Sequence, residues 1–170
     1  MPGERGREPD HLDGILAQWK RERPDVDVAA LGIMGRLFRA AQLADAALAK
    51  GIAPHDLQPG WFDLLAALRR AGRPFELNPT QLMATTMLSS GGMTKRLDRL
   101  EEAGLVERRP DPGDRRGTLV GLTRKGQALV DAALPTHVGN EERLLRTLSA
   151  SERRTLDELL RKLLAGLEGS

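Results

Sequence analysis

The chain of 170 residues contains no cysteine and no tyrosine. Without cysteine there is no disulfide stapling, no thiolate metal ligand, no cysteine nucleophile and no thiol redox switch. The aromatic residues are Trp19, Phe38, Trp61, Phe62 and Phe75, too few to build the exposed stacking platforms that grip single-stranded nucleic acid. No apolar run approaches the ~18 residues of a membrane-spanning helix. Met1–Asp10 has no apolar core of the signal-peptide kind. A cytoplasmic protein with no membrane partner is therefore expected. His11, His55 and His137 are far apart and form no H-x-x-H pair, so no metal site is expected. No G-x-S-x-G, P-loop or dinucleotide fingerprint is present. Glu101 and Glu102 are adjacent and so lie on different helix faces, which argues against a shared-proton pair. No catalytic residue, no cofactor and no enzymatic activity are expected.

What the chain does have is 40% hydrophobic and 29% charged residues, the balance of a globular protein long enough to bury a core. The net charge of +2 says little, but its distribution says more. Residues 91–126 hold nine Lys/Arg against six Asp/Glu, whereas residues 1–60 hold eight against nine and residues 127–170 six against seven. A positive surplus confined to one segment fits a nucleic-acid footprint. On charge alone a solvated charged face is the commoner explanation.

Apolar periodicity predicts a mainly helical chain. Leu12, Ile15, Leu16 and Trp19 form one stripe of a helix over Asp10–Glu22. Asp25 or Asp27 caps a longer helix to about Lys50, with Gly51 as its stop. Pro59 opens a third helix, striped by Trp61, Leu64, Leu65 and Leu68. Phe75–Leu77 reads as a short strand. Asn78-Pro79 caps and opens a helix to about Met87. Met87-Leu88-Ser89 is a turn, and Ser90–Ala103 is a second helix with Met93, Leu97 and Leu100 inward. Leu105–Arg109 and Thr118–Leu122 are strands flanking a turn over Pro110–Asp114. Thr123 caps a long helix that Pro135 should kink. Ser149 and Glu152 form a capping box before the last helix.

Two tightly joined helices followed at once by a hairpin make a winged helix-turn-helix with a two-stranded β-wing. The second helix would enter the DNA major groove through its N-terminal residues. Those residues are Ser89, Ser90, Gly91, Gly92, Thr94 and Lys95, small or polar groups that let backbone amides approach phosphates. At ~100° per residue, Lys95 points away from the apolar stripe and Arg99 lies outward. The same arrangement also serves in protein docking.

Residues Phe62 to Gly126 resemble the MarR family of bacterial transcriptional regulators. The stretches concerned are FDLLAALRRAG and NPTQLMATTMLSSGGMTKRLDRLEEAGLVERRPDPGDRRGTLVGLT. They include the wing signature D-x-R-x5-L-T as Asp114, Arg116, Leu122 and Thr123. The resemblance implies a homodimer on a palindromic double-stranded operator. It also implies a wing arginine, Arg115 or Arg116, in the minor groove, with Asp114 bracing the wing. The parts expected are an N-terminal extra helix (1–24), which is not general to that family, a dimerisation helix and connection (25–58), the DNA-binding region (59–122) and C-terminal helices of the dimerisation lobe (123–170).

ILAQWKRERPDVDVAALGIMGRLFR and MLSSGGMTKRLDRLEEAGLV are similar to the urate-responsive PecS/HucR-type branch of that family. That likeness implies a small anionic aromatic ligand, urate or a related purine, held by Trp19, Asp63, Arg96 and Arg108. The residues themselves carry this unevenly. Arg96 flanks the inward face of its helix. Trp19 lies on an apolar stripe and serves as well for core. Asp63 lies opposite Leu64, Leu65 and Leu68, where periodicity alone predicts solvent. Arg108 alternates with Arg109 on one strand, which leaves open which of them faces inward. The function expected is a repressor released by such a ligand. The alternatives are a repressor answering to a phenolic ligand and a winged-helix protein-interaction module.

Overall fold

The computed structural model describes residues 8–58, 60–86 and 92–169. Pro59 and the turn over residues 87–89 lie outside them, as do Ser90 and Gly91. The chain forms two compact units, the first ending at Ala47 and the second beginning at Leu48.

In the N-terminal unit, helix α1 (His11–Glu22) packs on the early turns of helix α2 (Ala29–Ile52). Leu12 and Leu16 lie against glycines. A Cβ on Gly35 would stand 2.6 Å from Leu12 Cδ1, and one on Gly32 would stand 2.9 Å from Leu16 Cδ1. A polar clasp holds the start of α1. Asp10 and Asp13 form a capping box. Arg36 of α2 donates from Nε to Asp10 Oδ2 at 2.7 Å and from Nη2 to Asp13 Oδ1 at 2.6 Å.

The C-terminal unit is built around helix α3 (Trp61–Arg70), whose Leu64, Leu65 and Leu68 are wholly buried. Strand β1 (Glu76–Leu77) follows, then the short helix α4 (Pro79–Ala84) and helix α5 (Met93–Glu102). Strands β2 (Val106–Asp111) and β3 (Asp114–Leu122) make the hairpin. Helices α6 (Arg124–Leu144) and α7 (Ala150–Glu168) complete the chain. Leu82, Leu97, Leu100, Val106, Val120, Val130 and Ala133 join α3 in one core. Each fully buried leucine contributes about 2 kcal/mol by leaving water. The sheet is antiparallel in the order β1-β3-β2, so the wing is extended by β1 to three strands.

Several boundaries differ from expectation for local reasons. Gly51 lies inside α2 and stops nothing. It is needed there because a Cβ would overlap the amide of Asn140 on α6. Helix α4 ends at Ala84, short of Met87. Helix α5 begins at Met93, behind Gly92 in the left-handed region at φ 87°; the expected start at Ser90 lies outside the described residues. Pro110 and Asp111 belong to β2 and Asp114 to β3, so the hairpin is longer than the turn-rich sequence implies. Proline is tolerated because β2 is an edge strand and the ladder is irregular between Pro110 and Asp111. Helix α6 continues through Pro135.

The start of α6 is bound to the end of α5. Thr123 Oγ1 donates to the Gly104 carbonyl at 2.8 Å and accepts from the Gly126 N–H at 3.0 Å. Lys125 Nζ donates to the Ala103 carbonyl at 2.8 Å. A Cβ on Gly126 would overlap the Leu105 carbonyl oxygen.

Candidate nucleic-acid interface

Helix α5 has a buried side and a basic side. Met93, Leu97 and Leu100 anchor it at i, i+4 and i+7. That leaves Thr94, Lys95 and Arg99 exposed, with Lys95 and Arg99 one turn apart on the same face. Arg96 sits between the two sides and is half-buried. Its guanidinium folds back to the helix start, with Nη1 3.3 Å from where a Cβ of Gly92 would stand. Gly92, Lys95, Arg96 and Arg99 line a cleft of about 230 Å³.

The hairpin presents a second basic surface. Arg115 and Arg116 are exposed on β3 next to the turn. Asp114 Oδ1 accepts the Arg116 backbone N–H at 2.9 Å, and Asp111 Oδ1 accepts that of Gly113 at 2.8 Å. These bonds hold the tip in shape. Arg108, Arg109, Arg115 and Arg116 line an open cleft of about 460 Å³ along the hairpin.

Arg108 and Arg109 go to opposite sides. Arg109 Nε donates to Glu76 Oε1 of β1 at 2.8 Å. Arg108 turns to α5, where Nη2 meets Asp98 Oδ1 at 2.7 Å and Nη1 meets Glu101. Partial burial works against the Arg108 charge, but the bonds to Asp98 and Glu101 outweigh it and raise its pKa. The bond to Glu76 raises that of Arg109. Charge patterning alone did not single out Glu76, Asp98 and Glu101. The available signal was the i, i+3 spacing of Asp98 and Glu101 ahead of a basic strand.

Of the expected ligand residues, Asp63 is half-buried in the first turn of α3 rather than exposed. Trp19, in the N-terminal unit, is 45% exposed and so is not core. The expected DNA contacts Ser89, Ser90 and Gly91 lie outside the described residues. Two histidines are tied locally. His55 Nε2 and Thr136 Oγ1 are 3.1 Å apart, and the His137 ring lies 4.2 Å from that of Phe62. Among the described residues no helix is long and apolar enough to cross a membrane.

A helix with an exposed basic face, backed by a core and flanked by a basic hairpin, defines a winged helix-turn-helix DNA-binding protein. Residues 55–117 match the model of the MarR family. The chain is 40% identical over 149 residues to the HTH-type transcriptional regulator PecS of Dickeya dadantii, covering 88% of this chain and 90% of PecS. It is 35% identical over 134 residues to the multiple antibiotic resistance protein MarR of Escherichia coli, covering 77% and 90%. A mutant of Escherichia coli MarR solved with operator DNA superposes with a TM-score of 0.70 at 31% identity, covering 86% of this chain and 97% of that one. Bordetella bronchiseptica BpsR, whose DNA binding is described as regulated by 6-hydroxynicotinic acid, superposes with a TM-score of 0.69 at 29% identity, covering 77% and 97%. The chain belongs to the MarR family of DNA-binding transcriptional regulators and is similar to its PecS branch.

Proposed function

We propose that the protein is a repressor that binds a palindromic operator as a homodimer and leaves it when urate or a related purine binds. The observation that carries this reading is the division of the α5 cations. Lys95 and Arg99 are exposed for DNA, while Arg96 is half-buried with its guanidinium against Gly92. Thr94 and Lys95 would read bases in the major groove, joined by Ser89, Ser90 and Gly91. Arg115 or Arg116 would enter the minor groove, with Asp114 bracing the tip.

Urate near neutral pH is a flat monoanion. A guanidinium pairs with or stacks on it, an indole covers its face and a carboxylate accepts a ring N–H. Arg96, Arg108, Trp19 and Asp63 supply those groups. A ligand that draws Arg96 moves the helix that carries Lys95, and half-sites one DNA turn apart tolerate little change in spacing. The homodimer rests on apolar side chains left in water. Helix α7 buries none of its residues, and Leu156, Leu159, Leu163, Leu164 and Leu167 are each more than a third exposed.

A second reading, a smaller aromatic acid as ligand, is favoured by the likeness to BpsR. Mobility shift of the protein's own upstream DNA with urate, xanthine, hypoxanthine, salicylate and 6-hydroxynicotinic acid separates the two. Release by a purine supports the first, release by an acid alone supports the second, and no release at millimolar ligand sinks both.

A further inference from the structure

The carboxylates Asp98 and Glu101 sit on the helix that approaches a polyanion, where charge alone makes them unwelcome. Their geometry shows what they hold. Glu101 Oε1 accepts the backbone N–H of Arg108, seven residues later, at 3.1 Å. Its other oxygen accepts Nη1 of the same residue, and Asp98 Oδ1 accepts Nη2. Three donors of one residue thus end on two carboxylates one turn apart on α5.

The backbone bond follows from topology. Strand β2 is an edge strand, and Arg108 stands opposite Val120 of β3. On an edge strand alternate N–H groups face away from the ladder. The Arg108 N–H is one of these, and Glu101 occupies it. The Arg108 side chain is mostly covered, with 27% of it exposed. The wing is therefore fastened to the recognition helix at the root of β2, on the side opposite the Arg109–Glu76 pair.

We propose that Glu101, assisted by Asp98, is a positioning residue for DNA binding: acting through Arg108, it docks the wing on the recognition helix and sets the distance between Lys95 and the wing arginines. This rests on the family's DNA-binding role and not on the ligand reading. The two contributions of Glu101 have opposite signs. As a negative charge near phosphates it weakens binding, and its removal would tighten binding to any duplex. As a dock it strengthens binding only to a duplex that both helix and wing engage.

The test measures affinity for a duplex selected by the wild-type protein from a randomised pool, and for a scrambled duplex, across a salt series. Glu101→Gln is expected to lose at least about fivefold affinity for the selected duplex. Its scrambled-duplex affinity should stay or rise, and the salt slope should be unchanged because no phosphate contact is removed. The Arg108 amide should exchange faster with solvent. Asp98→Asn, a change at a half-exposed side chain that leaves the backbone bond in place, should lose less in the same direction. Combining Glu101→Arg with Arg108→Glu should regain part of what each loses alone. If Glu101→Gln misfolds, Asp98→Asn decides. Equal or tighter selected-duplex binding by the folded variants overturns the proposal, as does equal loss on both duplexes.

Discussion

The side-chain amide of Asn140 on α6 lies against Gly51 on α2, in the space a Cβ at position 51 would occupy. Asn140 is 7% exposed, and its Nδ2 has no hydrogen-bond partner among the described residues. Its Oδ1 accepts from Arg143. Gly51→Ala should therefore destabilise the fold by about 1–3 kcal/mol through overpacking. Asn140→Ala removes the obstacle, so the double variant should be more stable than the sum of the two single effects allows. Urea unfolding of all four proteins measures the coupling, and strict additivity would refute the close approach.

Arg116 and Lys95 should fail in different ways. Arg116→Ala removes a wing charge, so binding should weaken on all duplexes and the salt slope should fall by about one. Lys95→Ala should change which bases are preferred. Fluorescence anisotropy against a panel of single-base variants distinguishes the two, and uniform scaling by both variants would mean that α5 does not read sequence.

Because α7 has no buried residue in the single chain, a charge on its apolar side should not unfold the protomer. Leu163→Glu is expected to yield a folded monomer with weakened operator binding. Light scattering with circular dichroism checks this. A wild-type protein that is monomeric at micromolar concentration would remove the dimer altogether.

The clasp on α1 predicts a pH response. The hydrogen bond from Arg36 is the main reason that the Asp10 carboxyl titrates far below its usual range. A carboxylate depressed by folding contributes stability above its unfolded value, about pH 4, and loses it as pH falls through the lower folded value. Attachment of α1 should thus be constant from pH 8 to 5 and erode only in stronger acid. Asp10→Asn should reduce amide protection over His11–Glu22 at neutral pH, and protection equal to wild type would show that the clasp holds nothing.

The helices were legible because periodicity reports burial directly. Leu64, Leu65 and Leu68 read as a buried stripe and are one. The capping box at Ser149 and Glu152 and the cap at Asn78 were equally plain, since each is a local hydrogen-bond pattern. What failed was whatever depends on a distant partner. Gly92 offers no capping side chain, and only the fold shows that α5 begins behind it. Gly51 resembles a helix stop until Asn140 is placed beside it. The alternation of Arg108 and Arg109 predicts opposite faces but cannot say which face meets α5. Asp63 lies opposite its helix's apolar stripe, and its partial burial is a fact of tertiary packing.

The bonding of Thr123, Lys125 and Gly126 to Ala103, Gly104 and Leu105 makes α6 a lever arm. At 21 residues it is about 31 Å long. A tilt of about 5° at its far end sweeps the near end through roughly 3 Å. The near end is bonded to the residues that directly follow α5, so the recognition helix would receive that travel. A small angular change far from DNA would thereby become displacement at the groove, and the absent side chain of residue 126 is what lets the two backbones lie close enough to pass it on.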